Sequence, residues 1–144
     1  LAVHAELEWA LAVNAQAVIA GSRSIKIEEL RRRLDLENQA SGMRLGVATH
    51  NNRELVSAQN SDADFVFFSP IYETPTKQGI LNPHGLNGLA KVVAEVSMPV
   101  VALGGIQTAE HVFACKRAGA HAVAVLRAGK ERALLEEMSS AWHG

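Results

Sequence analysis

Three stretches of this sequence carry residues able to hold an anion. Ser69-Pro70-Ile71-Tyr72-Glu73-Thr74-Pro75-Thr76-Lys77-Gln78-Gly79 breaks an apolar run, Phe65-Val66-Phe67-Phe68. It offers two threonine hydroxyls, Thr74 and Thr76, and the ammonium of Lys77, with Gly79 permitting a sharp exit. Val100-Val101-Ala102-Leu103 runs into Gly104-Gly105-Ile106, after which Thr108 begins a helix. Paired glycines let a backbone come close to a ligand, and unpaired N–H groups at a helix start favour negative charge. The third stretch, Arg127-Ala128-Gly129-Lys130, opens a helix with cations beside it. Two have a plainer reading: a surface loop for the first, a tight turn for the glycine pair.

The histidines are scattered. His50 follows a strand end and either faces a site or only positions a neighbour; His84 falls in a loop, and His111 and His121 read as exposed. No two show metal-ligand spacing and no Asp/Glu pair sits at strand ends, so no structural metal is expected.

Elements that would position these groups follow from hydrophobic patterning. Strands are expected at Ala17–Ala20, Leu45–Thr49, Phe65–Ser69, Val100–Leu103 and Ala122–Leu126, with Leu1–Val3 the tail of another. Their continuous apolar runs suit a parallel sheet covered on both faces. Leu86, Leu89, Ala90 and Val93 mark one helix face, Leu134, Met138, Ala141 and Trp142 another, and Asn51 with Glu54 has the spacing of a capping box. This alternation implies right-handed βαβ units. Ala15-Gln16-Ala17-Val18, Ala63-Asp64-Phe65-Val66 and Ala120-His121-Ala122-Val123 form a weak repeat at strand entrances. Ligands of parallel α/β folds sit at the carboxyl ends of strands, where all three anion candidates fall. Consecutive Gly-rich ends also suit the phosphate site of a βα barrel.

A complete (β/α)8 barrel takes ~250 residues, and at least ~200. The 144 residues here supply five strands, six at most, so a partial barrel and a small open sheet both fit. One domain, 1–144, is expected, with 48% hydrophobic residues to build its core. Lys plus Arg is 14 against Asp plus Glu 15, which gives no global field for nucleic acid or a membrane surface. Arg31-Arg32-Arg33 reads as a solvated helix face. The single cysteine, Cys115, excludes an intrachain disulfide and reads as a small core residue, in keeping with a cytoplasmic location. Leu at position 1 points to a missing or processed start.

"LGVATHNNRELVSA", "ADFVFFSPIYETPTKQG", "PVVALGGI" and "AGAHAVAVLRA", in that order, resemble motifs of the thiamine phosphate synthase and TenI family over about Leu1 to Gly129. The resemblance implies a (β/α)8 TIM barrel lacking its first strands, with the rest upstream or in a fused domain, or a homo-oligomer covering the open sheet edges. The family's synthase joins hydroxymethylpyrimidine diphosphate to thiazole phosphate and releases pyrophosphate. On that basis Lys77 with Thr74 or Thr76 contacts the pyrophosphate, while Gly104, Gly105, Leu126 and Arg127 cradle the thiazole phosphate. Mg2+ would neutralise the leaving group.

Three positions depart from the family pattern. His4-Ala5 stands where the family has Asn-Asp, and Ile19 to Ser24 replaces the stretch bearing its second magnesium Asp. Ala48 replaces a serine. The implied outcome is retained thiazole-phosphate binding with impaired coupling. A TenI-like thiazole tautomerase, with His50 or His4 as base, and a non-catalytic phosphate-binding or regulatory module are the alternatives. Pro70 occupies the place of the tautomerase's catalytic His.

Overall fold

The computed structural model describes residues 2–4, 7–21, 26–37, 42–75 and 81–144. The chain divides into two compact units, Leu1–Phe67 and Phe68–Gly144. The first contains β1 (Ala2–His4), α1 (Leu7–Ala12), β2 (Ala17–Ala20), α2 (Ile27–Glu37), β3 (Arg44–Thr49) and α3 (Asn52–Asn60), and β4 (Phe65–Phe68) ends it. β1 pairs with β2 and β2 with β3, both parallel, with Val3 opposite Val18 and Val18 opposite Leu45. Val18 and Leu45 are fully buried, as are Leu30 and Leu34 from α2. Full burial of each such side chain is worth about 1.5–3 kcal/mol.

The second unit contains α4 (Gly85–Glu95), β5 (Val100–Leu103), α5 (Ala109–Arg117), β6 (Ala122–Ala124), a 3-10 turn at Ala128–Lys130 and α6 (Arg132–His143). β5 and β6 pair in parallel, Val101 opposite Ala122. Leu89, Val92, Val100, Ala102 and Val112 form its core. The expected strand–helix alternation holds in both units. The last strand is shorter than its apolar run, because Val125 and Leu126 leave the ladder. α4 is turned from the expected face: Val92 is buried and Ala90 is exposed.

The weak repeat has a structural cause. Ala15, Ala63 and Ala120 each donate a backbone N–H to the carbonyl five residues earlier, on Ala10, Ala58 and Cys115. The residue before each, Asn14, Asp62 or Gly119, has φ of 48°, 49° or 90° and donates to the carbonyl three residues back. These are three Schellman stops, a left-handed residue closing a helix and a buried alanine leading the chain into a strand. Asp64 then fixes the entrance of β4. Its backbone N–H donates to the Leu45 carbonyl at 2.8 Å, and its carboxylate accepts from the Leu45 N–H at 2.7 Å and from Arg31 at 3.2 Å.

The three arginines of α2 are each ion-paired rather than simply solvated. Arg31 meets Asp35 and Asp64, Arg32 meets Glu29, and Arg33 reaches Glu8 on α1. Hydrogen bonds from Arg33 and Arg32 hold the Glu8 and Glu29 carboxyls below the usual carboxylate range.

Candidate functional site

The loop after β4 is tied down along its backbone. Ile71 N–H donates to the Leu103 carbonyl and Tyr72 N–H to the Gly104 carbonyl, both at 3.0 Å, which pins the loop along the end of β5. On the other side, His84 N–H donates to the Pro70 carbonyl and Gly85 N–H to that of Ile71. The Ser69–Pro70 peptide bond is cis. Ile71 is fully buried, and Phe68 stacks on the His84 ring at 4.3 Å.

Tyr72 anchors the same loop to α5. Its ring stacks on His111, centroids 4.1 Å apart, and its hydroxyl lies near the Cys115 sulfur. Burial pushes the Cys115 thiol up to about 11, against the smaller opposing effect of the Tyr72 hydrogen bond. Burial also raises Tyr72, helped by the adjacent sulfur. Cys115 is thus an inert core residue. His111 is half-buried rather than exposed, a correction with an evident cause. Thr108 caps α5 by accepting from the His111 N–H, which sets His111 and Cys115 one turn apart on the face that meets Tyr72.

This packing explains the glycine pair. Gly104 has φ 97° and Gly105 φ 70°, conformations an L-residue rarely adopts. A Cβ on Gly104 would lie 2.8 Å from Pro70 Cα, and one on Gly105 would lie 2.5 Å from the Glu73 carbonyl oxygen. The close approach they allow is that of the protein's own loop.

Between this loop and the ends of β5 and β6 lies a cavity of about 150 Å³, the size that accepts a benzene-sized ring. Thr74, Gly104, Gly105, Leu126 and Arg127, all expected in the site, line it together. Ser69, which sequence reasoning passed over as the last residue of a strand, lines it as well and is 1% exposed. Arg127 donates from Nη1 to the Thr74 hydroxyl at 3.0 Å. It is the one charged side chain among the described lining residues, so the cavity favours an anion. The chain after β6 opens as the 3-10 turn, and α6 starts only at Arg132, without a side-chain cap. Thr76 and Lys77 lie outside the described residues.

His50 stands elsewhere. With Gly21, Ala48 and Glu54 it lines a smaller cavity of about 130 Å³ in the first unit. Asn51 caps α3 by accepting from the Glu54 N–H, as the capping-box spacing predicts. The Glu54 carboxylate reaches back one residue further, to the His50 N–H at 2.6 Å, and also takes the Asn51 side-chain amide. His4 lies with its ring against Gly21.

Among the described residues no three His, Cys, Asp or Glu side chains stand close enough together to hold a metal ion. The described residues of β1, and of β2 through Gly21, carry no carboxylate, and Glu54 is engaged in capping. Outside the described residues only Glu6 is acidic. This donor set does not fit a magnesium ion held by two protein aspartates.

The family described as Thiamine monophosphate synthase matches residues 1–128. A thiamine-phosphate synthase of Chloroflexus aurantiacus is 36% identical over 128 residues, 89% of this chain and 56% of its own length. A putative thiamine-phosphate synthase of Geobacter sulfurreducens is 34% identical, over 89% of this chain and 57% of its own. The chain therefore spans little more than half the length of these relatives. A solved thiamine phosphate pyrophosphorylase from Pyrococcus furiosus superposes with a TM-score of 0.80 at 27% identity, covering 99% of this chain and 66% of that one. The Amycolatopsis orientalis BexX/CysO complex shares the fold, with a TM-score of 0.69 at 18% identity, over 94% of this chain and 57% of that one. No helix among the described residues is long and apolar enough to cross a membrane. The strand–helix order and parallel pairing are those of part of a (β/α)8 barrel, and the chain belongs to the thiamine monophosphate synthase family.

Proposed function

We propose that this chain serves thiamine biosynthesis by binding thiazole phosphate in the second unit's cavity, and that its described residues do not support magnesium-dependent coupling. The observation that carries the reading is the cavity itself. A five-membered ring fits its volume, and one guanidinium faces it with no carboxylate among the described lining residues to cancel the charge. The chain's own residues bind and orient: the glycine strand end and Val125 and Leu126 after β6 frame the phosphate, and Arg127 balances its charge. Pyrimidine diphosphate or pyrophosphate would be met by Lys77 and Thr76 of the same loop. The missing pair of carboxylates favours the non-catalytic form of this reading, and His50, lining a cavity of the first unit, gives the tautomerase alternative no support from this cavity.

Calorimetric titration with thiazole phosphate and with the corresponding alcohol tests it. The phosphate ester is expected to bind and the alcohol to bind far more weakly; equal affinities, or no binding of the ester, would remove the assignment. In a coupling assay, pyrophosphate release is expected to show no stimulation by Mg2+, and clear stimulation would overturn the non-catalytic reading.

A further inference from the structure

Asp64 and His121 hold the same place in the weak repeat, directly after the alanine at a strand entrance. Both make the same pair of contacts with the strand before. Asp64 donates its backbone N–H to the Leu45 carbonyl at 2.8 Å and accepts the Leu45 N–H on its carboxylate at 2.7 Å. His121 donates its backbone N–H to the Val100 carbonyl at 2.9 Å and accepts the Val100 N–H on Nδ1 at 3.2 Å. One clasp is thus built with two chemistries. We propose that the His121 clasp is a proton-sensitive device: the neutral imidazole holds the entrance of β5 and mild acid releases it, while the Asp64 clasp of the first unit stays shut.

Lone pairs decide the difference. A ring nitrogen accepts an N–H only when it carries no proton, so this bond requires the neutral ring with its hydrogen on Nε2. Protonation sets a second N–H against that of Val100 and removes the acceptor. A carboxylate keeps acceptor capacity in either protonation state. Val100 is fully buried, so its N–H has no water to turn to, and a buried donor without a partner is costly. His121 itself is exposed, so protons reach its ring. Folding therefore favours the neutral ring. The clasp contributes fully where the ring is neutral and is lost as pH falls through the range in which histidines take up a proton.

The surrounding charges do not reverse that sign. α4 packs on β5 and α5 on β6. On α4, Lys91 and Glu95 pair with each other. Lys116 and Arg117 close the last turn of α5, shortly before His121, and their charge opposes a further cation. Glu110 and His111 stand in the first turns of α5, at its other end, and Cys115 is buried. Among the described residues His121 makes no ion pair or ring contact that would favour the protonated form.

Amide hydrogen exchange of the full chain, followed by NMR and read as protection factors, tests the device. Between about pH 8 and about pH 5, Val100 is expected to lose about tenfold or more of its protection, and Leu45 to stay within about twofold. His121→Asn places a non-titrating acceptor where Nδ1 stands and should hold Val100 protection level across the same range. His121→Asp, which copies the first unit's clasp, should do the same, with thermal unfolding confirming that both variants fold. Ring nitrogen chemical shifts should show Nδ1 without a proton at the alkaline end. The proposal is overturned if Nδ1 carries the proton there, if Val100 protection is level in the wild type, or if Leu45 falls in step with Val100. A fall that persists in His121→Asn overturns it too. So does a fall confined to Gln107, whose N–H His111 accepts at 3.4 Å, because the acid response would then belong to the start of α5.

Discussion

The carboxyl ends of β2 and β3 in the first unit and of β5 and β6 in the second are built from similar parts and finished differently. A glycine follows β2 and two follow β5. After β2, the atoms nearest a Cβ on Gly21 belong to the exposed His4 ring, at 2.6 Å. After β5, the corresponding atoms are backbone: Pro70 Cα against Gly104, and the Glu73 carbonyl against Gly105. In the first unit the polar groups at the strand end close on themselves, Glu54 taking the His50 N–H and Asn51 the Glu54 N–H. In the second, Arg127 reaches across a cavity to Thr74. Both ends start a capped helix beside a cavity, but Glu54 lines the first cavity and Arg127 the second.

The largest effect should come from testing the two glycine ends against each other. Gly105→Val places a β-branched residue at φ 70° with its Cβ 2.5 Å from the Glu73 carbonyl oxygen, next to the residue whose N–H the Gly104 carbonyl holds. The cost should exceed about 3 kcal/mol of unfolding free energy, in the range of severe backbone and packing damage. The loop should lose its seat, and phosphate binding with it. Gly21→Ala meets a side chain that can swing aside, so urea unfolding should shift by less than about 0.5 kcal/mol. Comparable losses in the two variants would erase the distinction between a framed end and an open one.

What could be read in advance divides along the same line. Apolar runs such as Val100–Leu103 announce strands without any tertiary information, and the strand found there has the same bounds. Asn51 announced its cap, though the length of the Glu54 side chain let it pass Asn51 and take the His50 N–H instead. The site was legible as a set of strand ends, which is why Thr74, Gly104, Gly105, Leu126 and Arg127 meet in one cavity. Their duties were less legible. That Arg127 grips Thr74, 53 residues away, depends on how the loop is seated, and nothing local to either residue encodes it. The seating of the glycine pair was hidden for the same reason: the atoms that exclude a Cβ come from a loop more than 30 positions earlier.

A second effect, of middle size, should locate alkaline sensitivity in the second unit. The Cys115 thiol, ordinarily near 9.0, is pushed by burial up to about 11. Folding therefore favours the protonated thiol. Its contribution is complete below about pH 9 and is lost as pH rises toward about 11. Two pH units correspond to about 2–3 kcal/mol at the limit of full burial, and about 2 kcal/mol is a fair expectation. Unfolding measured across this window should show a falling stability that Cys115→Ala flattens. Tyr72, raised by the same burial, slopes the same way, so some decline should survive in the variant. An unaltered slope in Cys115→Ala would show that the loop anchor is not the titrating element.

The smallest effects belong to the opposite ends of the strands, where the two units are alike. Asp62 and Gly119 occupy the same left-handed position of a Schellman stop, with φ 49° and 90°. Asp62 bears the strain of a Cβ there, and the carboxylate that orders the entrance of β4 belongs to its neighbour Asp64. Asp62→Gly should therefore be neutral or stabilising by a few tenths of a kcal/mol, because glycine adopts this conformation freely. Gly119→Ala should cost about 1 kcal/mol, part from the conformation and part from Val93 Cγ1, 3.0 Å from the new Cβ. Opposite signs at two positions with one backbone role would show that the stop itself is the conserved physical requirement, and residue choice a matter of what packs against it. If both changes destabilise equally, Asp62 must hold its stop through its side chain. The three stops would then be different devices that only share a hydrogen-bond pattern.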